Sequence, residues 1–357
     1  MLPEGPSNDN LDVQKILVIF VGDIRYFPVM TNAVPVFGPA FQLLPGHPET
    51  MKSREIRASV TPAKAGGHFA FVFNLQEFFK TDNRELPSLE DRTMDFQLTN
   101  KTALVTGSTA GIGFAIASLL VREGASVVVS GRSQGRVDEA VNRLRSESKD
   151  ARVQGMAADL GTKQGVDRMT GAVPSVDILV NSLGIYEAKP FPEISDQDWH
   201  RFFEVNVLSG VRLSRFYLPK MLERNWGRIV FISSESGVNI PVEMIHYGVT
   251  KTAMIALARG LAETTVGTNV TVNSVLPGPT RSEGVEQFLR QLAEAQGTDA
   301  AGVEKEFFRS IRPSSLLKRF ASPMEVASMV VYVCSEQASA TNGAALRVDG
   351  GVVRSIL

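Results

Sequence analysis

Residues 102–113 read Thr102-Ala103-Leu104-Val105-Thr106-Gly107-Ser108-Thr109-Ala110-Gly111-Ile112-Gly113, and this stretch decides the fold. A short apolar run bounded by glycine predicts a buried strand over 102–106. The residues that follow, from Ile112 to Glu123, have helical spacing, so the strand feeds a helix through a glycine-rich turn. Glycines at 107, 111 and 113 let the backbone turn tightly, approach a pyrophosphate and pack helix on strand, while the free N–H groups of the helix start attract phosphate. Gly107, Ser108, Thr109, Gly111, Ile112 and Gly113 are therefore candidate dinucleotide contacts. A glycine turn alone is also an ordinary loop; its place directly after the first strand gives it weight.

Outward from this unit the same texture repeats. Apolar runs predict strands over 126–130, 152–156, 178–181, 228–233, 270–275 and 345–348, and helices fit between them over 134–148, 199–222, 245–264 and 323–335. The last helix has Ser322 as its N-cap and Pro323 at its first position. Alternating strands and helices imply an α/β fold, one doubly wound Rossmann-type domain with a seven-stranded parallel sheet.

Residues 1–93 differ. They hold nine of the 18 prolines and show no sustained helical or strand periodicity, so they read as an irregular or disordered extension. The 264 residues from Met94 onward suffice for the whole α/β domain. Met94 is accordingly an expected native start; a cofactor-capping or targeting appendage is the other reading of the extension. Its most apolar stretch, residues 16–21, is far shorter than the roughly 20 residues that cross a bilayer.

The 357 residues carry a net charge of −1 with 43% hydrophobic content, which gives no basic field for nucleic acid or anionic membrane and favours a small-molecule ligand. One cysteine, Cys334, forms no internal disulfide, so a reducing, cytoplasmic setting is expected. The four histidines, His47, His68, His200 and His246, show no metal-ligand spacing, and no metal is expected.

Chemistry concentrates later in the chain. Tyr247 and Lys251 lie four residues apart on a predicted helix and share a face. Hydride transfer to a carbonyl leaves an alkoxide that needs a proton, and a phenol near pKa 10 is a poor partner at pH 7 unless a cation such as Lys251 stabilises its anion. Ser234, just after the fifth strand, stands where open α/β sheets bind ligands and can polarise a substrate oxygen. No G-x-S-x-G elbow accompanies it, so a serine hydrolase is not indicated. At the end of the second strand Ser130-Gly131-Arg132-Ser133 lacks the acid that would hold an NAD ribose. Arg132 can instead pair with a 2′-phosphate, which favours NADP(H) over NAD(H); a solvated surface arginine is the plainer reading.

Thr106-Gly107 through Gly113, together with Ser234 and Tyr247-Gly248-Val249-Thr250-Lys251, resemble the short-chain dehydrogenase/reductase family over about residues 98–352. The resemblance implies an oxidoreductase acting on a carbonyl or alcohol. It implies that Asp159 and Leu160 border the adenine, that Asn181 and Gly184 follow the fourth strand, and that Asn206 is a fourth catalytic residue that steadies the lysine. It further implies that Pro277, Gly278 and Thr280 form the loop beside the nicotinamide, that Tyr247 and Lys251 also touch the cofactor, and that subunits pair as a homodimer or homotetramer. Asp349-Gly350-Gly351 matches a structural turn. Ser182-Leu183 departs from the family's usual Asn-Ala and makes that floor bulkier. The substrate pocket is expected under 281–315, where Phe307, Phe308 and Ile311 stand beside Arg309 and Arg312; this permits an apolar substrate with an anionic handle, and equally fits an amphipathic helix over 303–311. A 3-oxoacyl thioester reductase is one option, and a cofactor-binding sensor or scaffold without turnover is the alternative class.

Overall fold

The structure is a computed structural model that describes residues 60–65, 68–73 and 95–356. Within the first unit, Met1–Thr93, β1 (Val60–Ala65) and β2 (His68–Phe73) pair antiparallel, with Val60 opposite Phe73 and Ala65 opposite His68. Regular pairing was not expected in this proline-rich extension; one of its two strands is the aromatic run Phe69-Ala70-Phe71-Val72-Phe73, and aromatic residues favour strands. The apolar stretch 16–21, His47 and Met94 lie outside the described residues.

The second unit, Met94–Leu357, is built on β3 (Thr102–Val105), β4 (Ser126–Gly131), β5 (Val153–Ala157), β6 (Ile178–Asn181), β7 (Gly227–Ile232), β8 (Val270–Pro277) and β9 (Ala345–Val348). They form a seven-stranded sheet in the order β5-β4-β3-β6-β7-β8-β9, every pair parallel. Helices α1 (Gly111–Arg122), α2 (Gln134–Glu147), α3 (Lys163–Ala172), α4 (Asp196–Phe203), α5 (Ser209–Glu223), α6 (Ile245–Glu263), α7 (Glu283–Gln296), α8 (Ala300–Ser310) and α9 (Pro323–Cys334) surround it.

The pleat sends neighbouring residues to opposite faces, and both faces are covered, which is why the strands read as unbroken apolar runs. Val105, Val230 and Ile232 pack with Ile116 and Leu120 of α1, Leu144 of α2 and Val330 of α9. Leu104, Ile229 and Phe231 face the other way, onto Met169 of α3, Leu213 and Tyr217 of α5 and Met254 of α6. A third, smaller cluster of Leu289, Ala293, Val303, Phe308 and Phe320 belongs to α7, α8 and the chain just after them. The chain runs outward from β3 to β5 and then returns to β6, so the order reverses between β3 and β6 and opens a crevice beyond their carboxyl ends.

The single helix expected over 199–222 is broken. A reciprocal cap between Ser195 and Asp198 starts α4 earlier, and residues Glu204–Leu208 form one wide π turn before α5 continues. Asn206 sits at its centre. Such a turn inserts a residue into the helical ladder and is frequent at functional sites. Helices α3 and α7 were not foreseen; each begins at a hydroxyl cap, Thr162 and Ser282. The expected amphipathic helix begins three residues early, as α8, capped by Asp299.

Candidate active site

The cofactor side of the crevice is made mostly of backbone. Between β3 and α1 the chain turns through Gly107 and Gly111, both in the left-handed region at φ 62° and 57°. Gly113 lies so close to the Gly107 carbonyl that any side chain there would overlap it. Helix α1 starts with Ala110 at its cap, no side-chain cap and no acid in its first turn, so its leading N–H groups, including those of Ile112 and Gly113, remain available to an anion. Ser108 differs from expectation. It is buried, its hydroxyl donates to the Val105 carbonyl (2.6 Å) and accepts from the Ser130 N–H (3.0 Å), and its own N–H donates to the Ser130 carbonyl (3.0 Å). Its donors are committed inside the fold, and the residue props the loop. Thr109 packs against Gly131 at the end of β4.

Arg132, one residue beyond β4, is exposed and makes no ion pair or hydrogen bond among the described residues. Asp159 holds the Gly161 N–H (3.1 Å), and Leu160 is part of the core under it, so Leu160 can offer only its backbone. Thr106 anchors the turn after β6 by accepting from Ser182 N–H (2.8 Å) and Leu183 N–H (2.9 Å), which places the altered Ser182-Leu183 pair against the glycine loop. Asn181 is buried with neither atom of its amide partnered among the described residues, an orphan that costs free energy unless a ligand or water serves it. On the opposite rim Pro277 ends β8, the Gly278 N–H donates to the Val348 carbonyl (3.0 Å), and Thr280 donates to the Gly278 carbonyl (2.9 Å). Asp349 turns the chain there by accepting from Gly351 (3.1 Å) and Val353 (2.9 Å). Ser282 comes within 3.5 Å of the position a Gly111 Cβ would take, so the two rims meet across the crevice. An open helix start, a glycine cradle and an unserved amide fit a dinucleotide.

The catalytic side is made of side chains. Ser234 follows β7 and is buried; its hydroxyl accepts from the Ser236 N–H (3.1 Å), which leaves its own proton to offer. Tyr247, in the first turn of α6, is half-buried, with its ring edge-on to Tyr186 at 6.4 Å. Burial pushes its phenol up to about 12, partly opposed by the neighbouring Ser234 hydroxyl. The Lys251 ammonium lies 5.6 Å from the Tyr247 ring centroid and donates to the Ile232 carbonyl (2.9 Å). Burial holds this lysine down to about 8. The phenol is therefore not depressed as the Tyr247–Lys251 spacing leads one to expect: desolvation of the phenolate is the largest effect and raises it. Asn206 accepts from the Ile185 N–H (2.8 Å) and donates to the Ile185 carbonyl and the Thr250 hydroxyl (3.0 Å each). A Cβ at Gly184 would stand 3.4 Å from the Lys251 ammonium and 3.6 Å from the Asn206 carbonyl oxygen, so Gly184 keeps these two groups on either side of one small opening.

Residues 101–293 match the family described as short chain dehydrogenase. The chain belongs to that family. An uncharacterized oxidoreductase of Bacillus subtilis, YvaG, is 47% identical over 263 residues, 74% of this chain and all of that protein. The 3-oxoacyl-[acyl-carrier-protein] reductase FabG of Aquifex aeolicus is 34% identical over 264 residues, 72% of this chain and 100% of its own length. Among solved structures, the L-sorbose reductase of Gluconobacter frateurii complexed with NADPH and L-sorbose is 33% identical, with a TM-score of 0.70 over 74% of this chain and 100% of that one. As a short-chain dehydrogenase this chain is an oxidoreductase on a Rossmann-type fold, and its expected four-residue set, Asn206, Ser234, Tyr247 and Lys251, converges on one corner of the crevice.

Three residues at that corner were missed. Glu235 is buried beside Ser234 and paired with Arg312 (3.0 Å), which was noted in the sequence only as a possible anion handle. Arg309, the other half of that idea, pairs with Glu306 at the surface. Both arginines therefore already have carboxylate partners. His246 is fully buried against Phe202 (4.0 Å) and Trp199 (6.1 Å), and burial lowers its pKa. Among the described residues no cluster of His, Cys, Asp or Glu could hold a metal ion, and no helix is long and apolar enough to cross a membrane.

Proposed function

We propose that this oxidoreductase uses NADP(H) to reduce a small ketone, or oxidise the matching secondary alcohol, with Tyr247 as the proton-transfer group. The observation that carries the reading is the convergence of Ser234, Tyr247 and Lys251 on one corner, with the Lys251 ammonium 5.6 Å from the Tyr247 ring centroid. Preference for NADP(H) is supported by the exposed Arg132 standing where an acid would hold an NAD ribose. The NADPH bound to the sorbose reductase of similar fold is in keeping with it.

The bound cofactor would rest on the glycine turn, the start of α1, Arg132 and the Pro277–Thr280 rim, and would supply the hydride together with, once oxidised, a positive charge. A phenol at about 12 is protonated at neutral pH, which is the state that reduction requires. Tyr247 gives its proton to the substrate oxygen, and Ser234, its own acceptor already occupied by Ser236, donates a hydrogen bond to the same oxygen. Lys251 balances the phenolate left behind. Asn206 fixes the turn at Ile185, and with it the wall beside the ammonium. In the reverse direction the phenolate takes the alcohol proton.

The names of two relatives, one for a 3-oxoacyl thioester and one for a ketose, set the substrate classes to try. A homodimer or homotetramer in the cytoplasm belongs to the same reading; Phe216 of α5 and Leu257 and Leu261 of α6 are only partly covered within one chain. The test is NADPH oxidation by the full chain over ketoses, simple ketones and 3-oxoacyl thioesters, beside Tyr247→Phe. Turnover of one class, lost at least a hundredfold in the variant with NADPH binding retained, is expected. Tight NADPH binding with no turnover across the panel would favour a cofactor sensor instead.

A further inference from the structure

The charged groups at the catalytic corner have an arrangement that the proton-transfer set does not use. Arg312 leaves the end of α8 and turns inward; only 7% of it is exposed, and only 3% of Glu235. Its Nε donates to Glu235 Oε1 (3.0 Å), and its Nη1 reaches Glu243 Oε1 (3.4 Å) and the Ile311 carbonyl (3.1 Å). Glu235 is the residue after Ser234, and Glu243 lies in the turn just before the helix that carries Tyr247. One guanidinium thus joins three segments: the serine turn, the approach to the tyrosine helix, and the end of the α7–α8 cap.

That cap has its own small core, distinct from the two that line the sheet. A segment with a private core and polar attachments can shift as a body, and Arg312 fixes its end to the catalytic corner from within. Taking two charges out of water is expensive, and a buried pair is poor evidence for stability as such. Among the described residues Glu235 Oε2 is buried without a partner, so the carboxylate's charge is incompletely answered.

We infer that Glu235 and Arg312 are a positioning pair that ties the α7–α8 cap to the Ser234–Tyr247 corner and sets how readily Tyr247 releases its proton. The groups that act on the phenol come from every neighbouring element: Ser234 and Glu235 after β7, Tyr186 after β6, Arg312 after α8, and Lys251 along α6. Glu243 reaches the pair from the turn before α6, His246 stands next to Tyr247 but faces Phe202 and Trp199, and Asp349 acts on Glu235 itself. Beneath the larger effect of burial, the Glu235 charge opposes ionisation of the phenol and the Arg312 charge favours it. Their balance adjusts what burial sets, and a cap that moves Arg312 moves that balance.

The inference rests on Tyr247 as the proton-transfer group, and its test does not use turnover. In the full chain labelled with 13C at the tyrosine ζ carbon, with the Tyr247 resonance assigned by Tyr247→Phe, ionisation is followed upward from about pH 9 through the midpoint of each protein. Glu235→Gln preserves shape and the acceptor for Arg312, and is expected to bring the Tyr247 titration down by about half a unit to one unit. Arg312→Met is expected to move it up, and the double variant to return it close to the parent. Loosening of the corner would lower the titration in both single variants, whereas a change of charge moves them apart. Coincident titrations of Glu235→Gln and parent, or a downward shift in both, would overturn the pair's role. Should Arg312→Met fail to fold, Arg312→Gln takes its place with the same expected upward shift. Turnover that survives in Tyr247→Phe would instead defeat the proposed function, whatever the titrations show.

Discussion

The two sides of the crevice are built by opposite means. The cofactor side is nearly all backbone: a glycine turn and an uncapped helix start within eight residues, with side chains such as Ser108 and Thr106 serving only to brace it. The catalytic side is nearly all side chain, drawn from the turns after β6 and β7, a π turn, α6 and the end of α8. The first is specified by what is absent, Cβ atoms and capping groups. The second is specified by which buried polar groups find partners. It follows that the cofactor side should be broken by adding atoms and the catalytic side by removing charge.

The largest effect expected from this contrast is at Gly113. A side chain there would overlap the Gly107 carbonyl, a backbone atom that cannot swing aside. Gly113→Val should therefore spread the turn and weaken NADPH binding more than about a hundredfold, a loss of roughly 3 kcal/mol. Fluorescence titration with NADPH reads the affinity, and circular dichroism checks that the sheet is intact. Unchanged affinity in a folded variant would mean that the turn does not hold the phosphates.

The same contrast explains what the sequence made legible. The strands, the glycine turn and the pair Tyr247 and Lys251 are each contained in a short window, where period and spacing report on one another. Glu235 and Arg312 are 77 residues apart, and nothing local to either marks them as partners. The π turn at Asn206 is hidden likewise, because helical spacing continues on both sides of a single inserted residue. Spacing of i and i+4 placed Lys251 on the face of Tyr247, but it could not say that the ammonium would donate to the Ile232 carbonyl or that burial would raise the phenol. Ser108 shows what a motif leaves out: it reads as a dinucleotide contact, and three dimensions commit its hydroxyl and N–H to Val105 and Ser130.

Arg132 gives a smaller and sharper measure, because it is an exposed cationic side chain at the edge of a largely backbone-made cradle. A charge-assisted contact to a 2′-phosphate is worth about 1.5 to 3 kcal/mol, so Arg132→Ala should cut the NADPH to NADH affinity ratio by roughly ten- to a hundredfold. Affinity for NADH should hardly change. An unaltered ratio would return Arg132 to the role of a solvated surface arginine.

The smallest effect concerns stability, and it separates the two sides most cleanly. Lys251 is held down from 10.5 to about 8 by burial, so the folded chain disfavours its charged form. A base whose folded pKa lies below its unfolded one binds fewer protons when folded; between about pH 8 and 10.5 the unfolded chain carries the extra proton, and stability rises with pH across that window. Below pH 8 the whole penalty stands, about 3 kcal/mol for a shift of this size. Lys251→Met removes it and forfeits the hydrogen bond to Ile232, about 1 kcal/mol, for a net gain near 2 kcal/mol at pH 7. For a domain of this length that is a rise in melting temperature of about 4 to 8 °C, shrinking as the pH approaches 10.5. Turnover should be lost in the same variant. A Lys251→Met protein that melts lower at pH 7 than at pH 10 relative to the parent would show that the ammonium is better served in the fold than a single carbonyl allows, and that this corner is held together by its charge rather than in spite of it.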